Sequence, residues 1–104
     1  MAEITGVFTC RLKPGADADR FEQFMRTELL PAYRDLPGCM TANLLHASKG
    51  STPDEYISLS RWESIEANDA IFGPDGQLPP AYAKAQEKLY DFVAEAKWVG
   101  YSPC

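Results

Sequence analysis

The chain has 104 residues, 45% of them hydrophobic, which suffices for one core and falls short of two domains of ordinary size, so residues 1–104 read as one domain. A formal net charge of −5, with no block of Lys or Arg, argues against a nucleic-acid backbone or an anionic membrane surface as partner. The start Met1-Ala2-Glu3-Ile4 carries no basic leader, and no stretch approaches the roughly 20 apolar residues that span a bilayer, so a soluble, cytoplasmic protein is expected.

Ile4 to Leu12 alternates Ile4, Gly6, Phe8, Cys10 and Leu12 against Thr5, Val7, Thr9 and Arg11, the period of a strand, and Pro14-Gly15 stops it. Asp17 or Asp19 can cap the helix that follows, whose stripe is Phe21, Phe24, Met25, Leu29, Ala32 and Leu36. Pro31 falls inside that run and is expected to bend or divide the helix, because it has no N–H for Thr27. Pro37-Gly38 turns the chain into a second strand, Met40 to Ala47, apolar in both alternating sets, with Leu44 and Leu45 pointing opposite ways.

The polar loop from Lys49 to Asp54 leads to a third strand, Tyr56 to Trp62, with Tyr56, Ser58, Ser60 and Trp62 on one face. Ser64 can cap a short helix to about Phe72, and Gly73-Pro74-Asp75-Gly76 breaks it. Pro79-Pro80 suits the first turn of a longer helix with the stripe Tyr82, Ala85, Leu89, Phe92 and Val93, and Lys97 to Tyr101 closes the sheet. The order is β-α-β-β-α-β, an α+β ferredoxin-like fold with a four-stranded antiparallel sheet. Helices cover one face of such a sheet. Strands apolar on both faces therefore call for a cover on the other, and a second copy of the chain is the expected one.

Three cysteines at 10, 39 and 104 without Cys-x-x-Cys spacing suggest neither a disulfide framework nor a zinc site, and Cys10 reads as a buried, inert thiol. Strand 1 ending in Pro14-Gly15, the Phe21 and Phe24 pair, Pro37-Gly38-Cys39, and Tyr56 to Trp62 followed by Glu63-Ser64-Ile65-Glu66-Ala67 together resemble the antibiotic biosynthesis monooxygenase domain over residues 4 to 101. The resemblance implies a homodimeric α+β barrel and, as the leading activity, a monooxygenase that needs no cofactor and acts with O2 on a phenol, quinol or polycyclic aromatic. It also implies a role for Trp62, matching a Trp that lines the cavity and orients the substrate.

Triplet O2 attacks a closed-shell organic molecule only after an electron-rich anion gives up an electron, so such a site deprotonates the substrate, holds the anion and excludes water. Trp62, Tyr56, Phe8, Phe72, Tyr82 and Tyr90 are candidates for an aromatic lining. His46, the single imidazole, is the candidate general base, and Ser58, Ser60 and Asn43 are candidate hydrogen-bond donors. Arg11 and Arg61 could hold an anion or join carboxylates at a dimer rim; Glu63, Glu66 and Asp69 read as charges complementing a helix dipole. Core packing is the competing reading for Trp62, and solvent exposure at a strand end for His46. The alternatives are a non-catalytic small-molecule-binding barrel, an isomerase or cyclase, and a haem-degrading relative. The last departs from its pattern because Ala67 to Phe72 offers no axial His.

Overall fold

The computed structural model describes residues 3–50, 54–72 and 82–104. Strand β1 (Ile4–Leu12) lies in the middle, antiparallel to β3 (Glu55–Trp62) on one side and to β4 (Val93–Tyr101) on the other. Strand β2 (Cys39–His46) pairs antiparallel with the far edge of β3, giving the order β2-β3-β1-β4 of a ferredoxin-like sheet. The expected β-α-β-β-α-β order is what the chain adopts.

Asp17 caps the first helical segment by accepting the Arg20 N–H at 3.1 Å. The segment then runs as α1 (Ala18–Phe24), one wide π-type turn at Met25–Leu29, and α2 (Leu30–Arg34). The wide turn hands the Leu30 N–H back five residues to the Met25 carbonyl, directly before Pro31, which has no N–H to offer. Pro31 thus divides the helix at its second half. Ser64 Oγ accepts the Ala67 N–H at 3.1 Å and caps α3 (Ile65–Phe72), while α4 (Ala83–Phe92) carries Leu89 into the core.

Val93 is not the end of a helical stripe. It opens β4, which begins four residues before Lys97, because Glu95 and Ala96 pair with Arg11 and Cys10 of β1. Ala94 is the extra residue of a bulge there, and Met40 plays the same part in β2. The Ser51-Thr52-Pro53 part of the polar loop, the Gly73-Pro74-Asp75-Gly76 break and Pro79-Pro80 lie outside the described residues.

The helices bury one face of the sheet in two adjoining clusters. Phe21, Met25, Leu29 and Leu30 pack with Cys10, Leu12, Ala42 and Tyr56 at one end, where the Phe21 ring meets Tyr56 edge-on at 4.8 Å. Ile4, Leu36 and Trp62 form the other end, beneath Tyr33, Ile71, Phe72 and Tyr82. Arg34 reaches from α2 to the edge strand, donating through Nε and Nη2 to the Ala42 carbonyl at 3.1 and 2.7 Å. The opposite face of the sheet has no helix over it among the described residues: Leu45 there is 50% exposed, Tyr101 55%, and Val7, Ile57 and Leu59 are half-buried. Among the described residues, no helix is long and apolar enough to cross a membrane.

Burial, and after it the Glu55 charge, pushes the Cys10 thiol up from 9.0 to about 12. Its folded value exceeds its unfolded one, so the stability held by the neutral thiol is complete below pH 9 and is lost as pH rises toward 12. Urea midpoints measured across that window are expected to fall with pH, and to fall less steeply in Cys10→Ala; parallel curves for the two proteins would contradict the assignment.

Candidate functional site

Strand register lays five rows across the helix-covered face, the last of them Leu12 and Val93. Cys39, Trp62 and Ile4 make the first, and Ala42, Ser60, Gly6 and Gly100 the second. Leu44, Ser58, Phe8 and Trp98 make the third, and His46, Tyr56, Cys10 and Ala96 the fourth. The second row holds only small side chains, so it is a trench between bulkier neighbours.

Trp98 occupies that trench. A Cβ on Gly6 would lie 2.9 Å from Trp98 Nε1 and 2.9 Å from Ser60 Oγ, and one on Gly100 would lie 3.0 Å from Trp98 Cη2 and 2.7 Å from Ile4 Cδ1. Both positions therefore need glycine, and the indole leans from the third row across the second. Trp98 is half-buried, whereas Trp62 is fully buried.

Trp62 Nε1 donates to Ser60 Oγ at 3.0 Å. One hydroxyl lone pair is thereby used, and the Ser60 proton is left to donate elsewhere. Ser60 Oγ and Trp98 Nε1 each lie 2.9 Å from the position a Gly6 Cβ would take, so the hydroxyl and the indole N–H are close neighbours over Gly6. Phe72 closes the Trp62 end, its ring edge-on to Trp62 at 5.3 Å and to Tyr33 at 5.8 Å, and Tyr82 packs on the same cluster. Burial, with the Tyr90 and Cys39 charges behind it, pushes the Tyr33 phenol up, so it stays protonated. On α3, Asn68 is 2% exposed, and its Nδ2 has no hydrogen-bond partner among the described residues. Such an unpaired buried donor costs about 1–3 kcal/mol.

Of the residues singled out from sequence, Phe8, Ser58, Ser60, Trp62, Phe72 and Tyr82 gather on this part of the helix-covered face. His46 and Tyr56 do not join them. Their rings stack at 4.3 Å on the same face but six residues along β3 from Trp62, roughly 20 Å at about 3.3 Å per residue. They line a separate cleft of about 240 Å³ with Glu22, Arg26, Arg34 and Asn43, in which the Tyr56 hydroxyl donates to Glu22 Oε2 at 2.5 Å. Burial and that bond push the Tyr56 phenol up. His46 therefore lies too far away to take a proton from a ring that Trp62 orients.

Asn43 sits opposite Leu59, on the face turned away from Ser58 and Ser60. Arg11 and Arg61 share that outer face without meeting: Arg11 lies in register with Glu55 and Glu95, and Arg61 pairs with Glu3. Tyr90 is exposed and lines nothing in the trench. Among the described residues, no three His, Cys, Asp or Glu side chains gather to hold a metal ion. Trp98, its two glycines and Asn68 escaped sequence reasoning; the pair Gly6 and Gly100 inside strands was the available signal, since glycine within a strand marks close approach.

No protein-family model matches the chain, and no curated protein matches it by sequence. Solved structures match along its whole length. A proposed antibiotic biosynthesis monooxygenase of Bordetella bronchiseptica superposes with a TM-score of 0.77 at 17% identity, covering 100% of this chain and 99% of that one. SnoaB, a cofactor-independent oxygenase of Streptomyces nogalater, gives 0.77 at 14% identity, covering 97% and 92%. The chain shares the ferredoxin-like α+β fold of these proteins. A third structure with it, the Streptomyces coelicolor monooxygenase from the gene ActVA-Orf6 in complex with Nanaomycin D, gives 0.72 at 20% identity, covering 99% and 88%. At these identities the likeness establishes the fold alone and leaves the chemistry to this chain's own residues.

Gly6→Ala places a methyl group 2.9 Å from Trp98 Nε1 and Ser60 Oγ. In a Trp62→Phe background, where Trp98 is the sole fluorophore of its kind, the substitution is expected to shift indole emission to the red and cost about 1–3 kcal/mol. An unchanged spectrum would contradict the seat described for Trp98.

Proposed function

We propose that the protein is a cofactor-independent monooxygenase that acts with O2 on a phenol, quinol or polycyclic aromatic small molecule held between the sheet and α3. The observation that carries this reading is that Ser60 Oγ and Trp98 Nε1 lie side by side over Gly6, each 2.9 Å from where its Cβ would be, with the Trp98 ring seated on Gly6 and Gly100. Similar folds in structures named as monooxygenases, one of them with Nanaomycin D bound, support it.

Phenol plus O2 gives quinone plus water with atoms and electrons balanced, four electrons passing from substrate to O2, so the reaction needs no outside reductant. The protein's part is to favour the substrate anion and keep water from the radical pair that follows. In this reading the Trp98 ring supplies a flat surface for the substrate, and the Ser60 hydroxyl donates to the developing oxyanion. Trp62 positions Ser60 through their hydrogen bond. Phe8, Ser58, Phe72 and Tyr82 bound the space. His46, Tyr56 and Asn43 have no part in this step, because they lie in the other cleft or on the other face.

The second element of the proposal is pairing of two chains through the outer face, where Leu45, Tyr101, Val7, Ile57 and Leu59 make an apolar surface that no helix among the described residues covers. Light scattering is expected to give twice the chain mass of 11.6 kDa, and Leu59→Glu to halve it. A monomeric wild type would remove this element.

Activity is tested with an oxygen electrode over a panel of phenols and quinols, without flavin or metal. O2 uptake above spontaneous oxidation is expected, falling about a hundredfold in Trp98→Ala, which removes the surface that orients the ring. Binding without O2 uptake would establish a non-catalytic binding protein instead, and neither binding nor uptake would overturn the reading.

A further inference from the structure

We propose that the side-chain amide of Asn68 donates a hydrogen bond to an oxygen of the bound ring, holding it from the helix side while Ser60 and Trp98 hold it from the sheet. This rests on the aromatic-binding reading above and assigns a residue that the reading did not require.

Asn68 is 2% exposed, yet its Nδ2 finds no partner among the described residues. Two buried serines of α3 and the sheet, by contrast, are paired. Ser64 Oγ takes the Ala67 N–H, and Ser60 Oγ takes the Trp62 N–H. On α3, Asn68 shares a face with Ser64, four residues before it, and with Ile71 and Phe72, three and four residues after it. Ile71 and Phe72 pack on the Trp62 cluster, so this is the face of α3 turned to the sheet. Asn68 therefore interrupts an apolar stripe at a place where Leu would fill a similar volume and strand no donor. A donor left unpaired in the free protein is accounted for by a bound state that pairs it.

The chemistry of the donor limits the ligand. A neutral amide N–H binds a ring carbonyl, a phenol or a phenolate, and offers no ion pair to a carboxylate or phosphate. The ligand class is thus a polycyclic ketone, quinone or phenol with an oxygen on the edge presented to α3. A bare hydrocarbon gains nothing from Asn68.

Anaerobic titrations of wild type and Asn68→Leu with 1,4-dihydroxynaphthalene and with naphthalene, read by Trp fluorescence and accompanied by thermal melts, test the proposal. The variant is expected to melt at a higher temperature than wild type. It is expected to bind 1,4-dihydroxynaphthalene about tenfold more weakly and naphthalene equally well. If Asn68→Leu does not fold, Asn68→Ala removes the same donor without apolar bulk and is expected to show the same split between the two probes. Wild-type binding with equal affinities in the variant, or equal losses for both probes, would overturn the role of Asn68 alone. Failure of wild type to bind either probe would overturn this proposal together with the aromatic-binding reading.

Discussion

A row of side chains too small to fill their own space, Ala42, Ser60, Gly6 and Gly100, is the constraint on which the rest of this molecule depends. A side chain at Gly6 or Gly100 would collide with the Trp98 indole that fills the space over them. Because the row is low, Trp98 can lean over two glycines, and Trp62 can reach Ser60 along β3. α3, which carries the unpaired amide of Asn68, packs Ile71 and Phe72 on the Trp62 end of the same face. Packing and chemistry thus meet in one strip of the sheet.

Much of the architecture was legible because its signals are local. The period-2 pattern of Ile4 to Leu12 gives β1 its observed bounds, and the strand and helix order follows from turn residues such as Pro14-Gly15 and Pro37-Gly38. The early start of β4 was not legible, since Val93-Ala94-Glu95-Ala96 suits a helix by itself and becomes a strand only through pairing with β1. Pro31 was read correctly as a divider, while the wide turn that absorbs it depends on packing of Met25 and Leu29.

The site was less legible than the fold for the same physical reason. Ser60 and Trp62 stand out as neighbours on one strand face, but Trp98 comes to them only through the register of β4 on β1, which no local pattern encodes. His46 and Trp62 have the residue types for joint catalysis and even share a face, yet the register of β2 on β3 places His46 beside Tyr56 at the far end. Asn68 has readable helical spacing to Ile71 and Phe72. That its amide goes unpaired is a property of the packed layer and of nothing shorter in the chain.

The two faces of the sheet then divide the work in this account: an outer face with Leu45 and Tyr101 exposed for pairing, and an inner face for a ligand. A crystal structure with a hydroxylated polycyclic quinone tests the central claim most directly. The account predicts the ring against Trp98 beneath α3, with one oxygen within hydrogen-bond distance of Ser60. A ligand lodged instead in the Glu22, His46 and Tyr56 cleft, or on the outer face of the sheet, would contradict it.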